Sequence, residues 1–210
     1  MRLVAVFRRA NLVFCAFFVL SVSCLAQRPV IVLPAPQTNG GMPLMQALSK
    51  RQTTRAFADK PLTRQQLSNL LWAAFGVNRT RETKPGLGRT APSAMNKQEV
   101  ALYVALNDGV YGYEAEHNQL DLIVPLDQRA KLAPPAAAKA AVTLIFVADA
   151  KLDYAQVDTG FIGQNVYLFA ASEGLNAWFY ALHSPDVAAT LRLAEGRKPL
   201  FGESVGFPPQ

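Results

Sequence analysis

Leu67, Leu70, Leu71 and Ala74 recur at intervals of three and four, which predicts a helix with one buried face. Ahead of them Thr63 and Gln66 hold capping-box spacing behind Pro61, and Gly76 marks the stop. A short helix is predicted over Leu44–Lys50 and another over residues 126–133, ending before Pro134-Pro135. Residues 160–173 form the most apolar helix, capped by Asp158 and Thr159 and closed by Gly174. Apolar residues cover nearly its whole circumference, so it should be buried on several sides. Strands are predicted over residues 100–106, 120–125, 142–148, 175–182 and 199–207. Asn107-Asp108-Gly109 is a turn signal, after which Tyr111 and Tyr113 alternate. Residues 77–94 are polar and carry Gly and Pro, which reads as a long loop of the kind that is often functional. Ser184-Pro185-Asp186 starts a short helix. Helices and strands are mixed around a hairpin, so the class is α+β.

The chain of 210 residues opens differently. Arg2, Arg8 and Arg9 precede an apolar run over residues 12–20, and small residues follow up to Ala26. That order predicts a signal peptide over residues 1–26, with an uncleaved membrane anchor as the alternative. The implied location is exported, in the periplasm. Ser21-Val22-Ser23-Cys24 weakly resembles a lipoprotein site, and Arg8-Arg9 faintly resembles a twin-arginine signal. Residues 27–43 are a Pro/Gly-rich arm or linker, and residues 44–210 form one domain. No membrane span is expected once the leader is removed. Both cysteines, Cys15 and Cys24, lie in the leader, so the mature chain has neither a disulfide scaffold nor a cysteine nucleophile. Leader removal lowers the net charge from +6 to +3. The remaining Lys and Arg form no long run, which argues against a nucleic-acid partner. His117 and His183 are too few and isolated for a histidine metal site. Gly86-Leu87-Gly88 lacks the third glycine of a dinucleotide fingerprint.

Two segments carry candidate chemistry. Residues 51–57, Arg-Gln-Thr-Thr-Arg-Ala-Phe, place two arginines and two hydroxyls within five positions. Arginine binds phosphate oxygens through paired, charge-assisted bonds. Residues 51, 53 and 55 share one side of an extended segment and together could hold one phosphate. The alternative is a solvated basic turn. Residues 92–98 offer Ser93, Asn96 and Gln98, neutral groups able to read the edge of a flat heterocycle. The alternative there is a helix cap followed by exposed amides.

Taken in order, these features resemble the nitroreductase superfamily of FMN-binding dimers. The likeness runs from Arg51, Thr53, Arg55 and Phe57 through Leu71-Trp72-Ala73-Ala74-Phe75-Gly76-Val77-Asn78-Arg79 to Arg89-Thr90-Ala91-Pro92-Ser93-Ala94-Met95-Asn96. It continues through Asp108 to Tyr113, Asp158-Thr159-Gly160, Gln164-Asn165, Gly174-Leu175 and Gly206-Phe207-Pro208. It covers about residues 44–208 and lies closest to the thiazole- and oxazole-forming dehydrogenases. The resemblance implies an antiparallel-rich sheet flanked by helices, in an interlocked homodimer with two FMN sites at its interface. It implies that Arg51, Gln52, Thr53, Arg55, Pro92, Ser93 and Asn96 bind the cofactor. Tyr111, Tyr113 and Trp178 would line the substrate face, or else serve as hairpin and core aromatics.

Several positions depart from the family pattern. Gln52 stands where many members have a second arginine, and Thr53 where many have serine. Phe179-Tyr180-Ala181-Leu182 lacks the acid and glycine that many members place beside the ring. The sequence stops at Gln210, where many members continue with basic residues.

The implied chemistry is ping-pong hydride or electron transfer. It runs from a reduced donor such as NAD(P)H to a small organic acceptor, a nitroaromatic or quinone, or it dehydrogenates a heterocycle. FMN carries that chemistry, and no protein acid, base or nucleophile is required for flavin reduction itself. Arg55 would stabilise the negative charge on the reduced ring. The alternatives are a non-catalytic flavin or ligand carrier, and a flavin-fragmenting or dehalogenating relative.

Overall fold

A computed structural model describes residues 29–80, 87–149, 151, 154–182 and 186–210. The predicted leader with Cys15 and Cys24, the residue His183 and the start of the helix at Ser184-Pro185 lie outside the described residues.

The frame is a seven-stranded antiparallel sheet, matching the α+β expectation. Its strands are β1 (Val30–Val32), β4 (Ala101–Ala105), β5 (Gly109–Glu114), β6 (Gln119–Pro125), β7 (Val142–Asp149), β8 (Asn176–Ala181) and β9 (Arg197–Gly206). They lie in the order β1-β6-β5-β4-β7-β9-β8. Part of the Pro/Gly-rich arm is thus an edge strand, with Val30 opposite Asp121. The apolar run of β7 occupies the centre because both faces of the sheet are covered. Leu144 and Phe146 enter one core with α2 (Arg64–Phe75) and α4 (Ala155–Glu173). Ile145 and Val147 enter the other, with Leu132 of α3 (Arg129–Leu132) and Val187 of α5 (Asp186–Thr190). The short α1 (Leu44–Lys50) packs on α4.

Helix α2 begins and ends where its spacing predicts. Thr63 accepts the Gln66 N–H, Gln66 returns a bond to the Thr63 N–H, and Gly76 closes the helix. Three expectations need correction. Residues 77–94 are not one loop: β2 (Val77–Thr80) and β3 (Leu87–Arg89) form a small hairpin sheet. Helix α3 is a single turn, because Leu126 has φ +72° and Asp127 accepts bonds from the Arg129 backbone and guanidinium. Helix α4 starts at Ala155, so Asp158 and Thr159 are inside it and cap nothing. Thr159 donates to the Ala155 carbonyl, and Asp158 turns to another segment. At the far end Gly174 stops the helix at φ +68°, a conformation glycine adopts freely.

Helix α4 approaches the sheet closely at Gly163, where a Cβ would stand 2.8 Å from the Phe179 ring. Beneath it lies Glu203, fully buried and with neither carboxyl oxygen hydrogen-bonded. Burial alone pushes its pKa well above the ordinary carboxylate range.

Candidate functional site

Residues 51–58 leave α1 and run along the edge strand β8. Thr54 donates its N–H to the Ala177 carbonyl at 2.9 Å, and Asn176 reaches the Ala56 carbonyl at 2.7 Å. Ala58 donates to the Phe207 carbonyl, fixing the far end of the segment. Its side chains part company. Arg51 lies over the Tyr167 ring at 5.3 Å, and Arg55 over the Trp178 ring at 5.2 Å. Such stacking holds a guanidinium in place while leaving its N–H donors available.

Arg51 and Gln52 line a cleft of about 450 Å³ with Lys50, Thr54 and Tyr167. Arg55 is not among the residues lining it. Arg51 and Thr53 both meet Tyr167, whereas Arg55 is set apart on Trp178. Thr53 bonds the Tyr167 hydroxyl at 2.9 Å, and that hydroxyl also accepts the Phe179 N–H. Lys50, Thr54 and Tyr167 also line the cleft and are not among the residues expected from the sequence. Lys50 directly precedes the arginine, which was the available signal; nothing in the sequence singled out Tyr167.

The second segment is a tight turn with unusual backbone. Met95, Asn96 and Gln98 all have positive φ, of 52°, 57° and 51°. A backbone of this kind holds only where its surroundings over-determine it. Here the buried Asp158 carboxylate accepts the Ala94 N–H at 3.1 Å. The Ser93 hydroxyl accepts the Gln98 N–H at 2.8 Å. The Gln98 side chain donates to the Leu87 carbonyl and to Asn96 Oδ1, and accepts from Arg89. Among the described residues, the Ser93 proton and the two Asn96 amide donors have no acceptor. Pro92, Ser93 and Asn96 line a separate cavity of about 360 Å³.

The aromatic candidates divide. Trp178 is half-buried and meets Arg55 on one side and Tyr180 on the other. Tyr111 is only 5% exposed and belongs to the core, where burial and Asp108 push its hydroxyl up to about 12. Tyr113 packs against that core and donates to Asn118. Burial raises its pKa too, against the pull of Arg89. Within one chain neither tyrosine joins the two cavities.

Both segments are tied to α4, at opposite ends. Asp158 in the first turn holds residues 92–96, whereas Tyr167 to Gly174 line the arginine cleft. At 1.5 Å rise per residue the two lie about 14–24 Å apart along the helix.

The nitroreductase family model matches residues 48–206, which include both segments and the whole of α4. The chain belongs to the nitroreductase family. An inferred nitroreductase of Methanocaldococcus jannaschii is 33% identical, over 72% of this chain and 85% of the relative. The solved structure of an inferred nitroreductase from Ralstonia eutropha JMP134 is 34% identical, with a TM-score of 0.76. That match covers 86% of this chain and 90% of the other. Nitroreductase A of Vibrio parahaemolyticus is 22% identical over 80% of this chain and 67% of its own, with a TM-score of 0.55, and shares the fold. Membership of the nitroreductase family makes the chain an oxidoreductase and bears out the coarse reading of the sequence.

Proposed function

We propose that the chain is an FMN-dependent oxidoreductase whose sites are each built by two copies. The observation that carries this is the separation of the two candidate segments along α4. Two copies packed with antiparallel α4 helices would bring the arginine end of one onto the turn of the other, twice, by symmetry. Exposed apolar groups support that packing. Tyr154, Val157 and Phe161 follow one another along α4, and Leu44, Met45 and Leu48 are exposed on α1. Met95, in the turn itself, is 73% exposed.

The cleft fits the phosphate of the cofactor. Lys50 and Arg51 are its cations, and no lining residue is acidic. Thr54 Oγ1 is buried there without a hydrogen-bond partner. The C-terminal end of α4 contributes about half a negative charge, which two full cations outweigh. Arg51, Gln52 and Thr54 would hold the phosphate. Arg55, Pro92, Ser93 and Asn96 would hold the ring, with Trp178 behind Arg55. Thr53 acts through Tyr167, whose hydroxyl it bonds.

Bound FMN supplies hydride transfer between a donor and an acceptor that visit the site in turn. The Arg55 guanidinium would stabilise negative charge on the ring. The stiff turn at residues 92–96 presents its donors with little reorganisation. The finer likeness to thiazole- and oxazole-forming dehydrogenases adds heterocycle dehydrogenation to the reactions to be tested. An exported, periplasmic location, from the basic and apolar pattern of residues 1–26, belongs to the same proposal.

The purified protein should be yellow, with absorbance near ~450 nm. Anaerobic NADH or NADPH should bleach it, and a nitroaromatic or quinone should restore the colour. A colourless protein that takes up no added FMN would overturn the proposal. A second reading, a non-catalytic flavin carrier, is favoured by Gln52 in place of a cation. It predicts bound FMN that no donor bleaches.

A further inference from the structure

The hairpin β2–β3 brings a second pair of arginines to the turn. Arg79 and Arg89 line the same cavity as Ser93 and Asn96, together with Asn78 and Thr90. None of the described residues lining it is acidic. Among the described residues the ion pairs are His117–Glu114 and Arg129–Asp127, so neither arginine is in one.

Both guanidiniums lean on neighbouring groups, Arg89 half-buried and Arg79 exposed. Arg89 stacks on the Phe75 ring at 5.0 Å and donates Nε to Gln98 Oε1 at 2.7 Å. Its Nη1 reaches the Phe75 carbonyl at 3.4 Å, and Nη2 has no bond to a described residue. Burial lowers the pKa of Arg89 from its ordinary value, against the opposing pull of Tyr113, Glu116 and Glu114. A register shift between Val77 and Arg79 sets Arg79 opposite Gly88. The Arg79 side chain lies across that glycine: a Cβ at position 88 would stand 2.7 Å from its Cζ and Nε. Arg79 donates to Asn78 Oδ1 at 2.7 Å.

Two guanidiniums with neighbouring amide and hydroxyl donors, and no acid among the described lining residues, suit an oxyanion. We propose that Arg79 and Arg89 form a subsite for a carboxylate or phosphate carried by the electron acceptor. The subsite would hold that molecule beside Ser93 and Asn96. This rests on the flavin reading above for its role in turnover, but the anion site itself does not require the cofactor.

Calorimetric titration of benzoate into the full chain, with and without FMN, tests the site directly. Wild-type protein should bind benzoate in both states. Arg79→Gln should weaken binding about tenfold, the loss of one charge-assisted contact. Gly88→Ala, which displaces the Arg79 side chain, should weaken it in the same direction. With FMN loaded, Arg79→Gln should lower kcat/KM for 4-nitrobenzoate about tenfold relative to 4-nitrobenzyl alcohol. Inorganic phosphate that competes with benzoate supports a general oxyanion site, and phosphate that does not compete narrows the ligand to carboxylates. Benzoate binding that is equal in wild type and Arg79→Gln would overturn the proposal. So would an equal loss for both nitro compounds, or FMN that displaces benzoate and binds more weakly to Arg79→Gln, since the cavity would then belong to the cofactor. A protein that binds benzoate but never FMN would sink the flavin reading and leave the anion site standing.

Discussion

The two ends of α4 solve the same problem in opposite ways. At one end, residues 51–58 have an ordinary backbone pinned to the edge of the sheet, and Arg51 and Arg55 lean on aromatic faces. At the other, residues 92–98 have a strained backbone, and most of their side-chain groups are spent on holding it. The first region presents charge through side chains; the second presents neutral donors through shape. Substitutions should therefore act differently at the two ends. At the arginine end they should remove affinity and leave the fold intact. At the turn they should remove stability first.

Asp158→Ala gives the largest expected effect on this contrast. It leaves the Ala94 N–H without its buried carboxylate, at a cost of about 3 kcal/mol in unfolding free energy. Guanidinium unfolding checks it, and a loss below about 1 kcal/mol would mean that the turn holds itself. Arg51→Ala and Arg55→Ala should leave unfolding within about 0.5 kcal/mol of wild type, as exposed or half-exposed stacked arginines. Each should weaken FMN binding by about 2 kcal/mol, roughly thirtyfold. The two should be separable with riboflavin, which lacks the phosphate. Arg51→Ala should reduce the preference for FMN over riboflavin, whereas Arg55→Ala should weaken both and slow turnover.

The helix between the two regions rests on Glu203, and its titration gives a third test. The folded protein holds the Glu203 proton more tightly than the unfolded chain, whose pKa is near the ordinary 4.5. This contribution to stability is therefore full below that value. It falls as pH rises toward the folded pKa, by at most about 1.4 kcal/mol per pH unit. Glu203→Gln should flatten the decline and raise neutral-pH stability relative to wild type. An unchanged slope would mean that Glu203 gains a partner not seen in the single chain. Thr63→Ala, at the cap of α2 and in neither region, should cost about 1 kcal/mol and leave FMN affinity alone.

The same contrast explains what was legible in the sequence. Helix α2 could be placed from its cap and period, and β7 from its unbroken apolar run, because both signals are local. Arg51 and Arg55 were legible by chemical type, but their division between a cleft and a tryptophan face was not, since Tyr167 and Trp178 are distant in sequence. Ser93 and Asn96 were legible as donors. The positive φ of Met95 and Gln98 was not, because neither residue type favours it and the restraint comes from Asp158, 64 positions from Ala94. The hairpin β2–β3 was hidden for a related reason: β3 is three residues long and its partner is bulged, too short for periodicity to register.

Mixing two defective proteins tests the shared-site account most directly. One chain carries Arg51→Ala with Arg55→Ala, the other Ser93→Ala with Asn96→Ala; each alone should retain little FMN. Refolded together in equal amounts, half the pairs should be mixed, and each mixed pair should hold one intact site. Bound flavin should then return to about a quarter of the wild-type ratio per chain. A mixture that binds no more FMN than its two components would contradict the account.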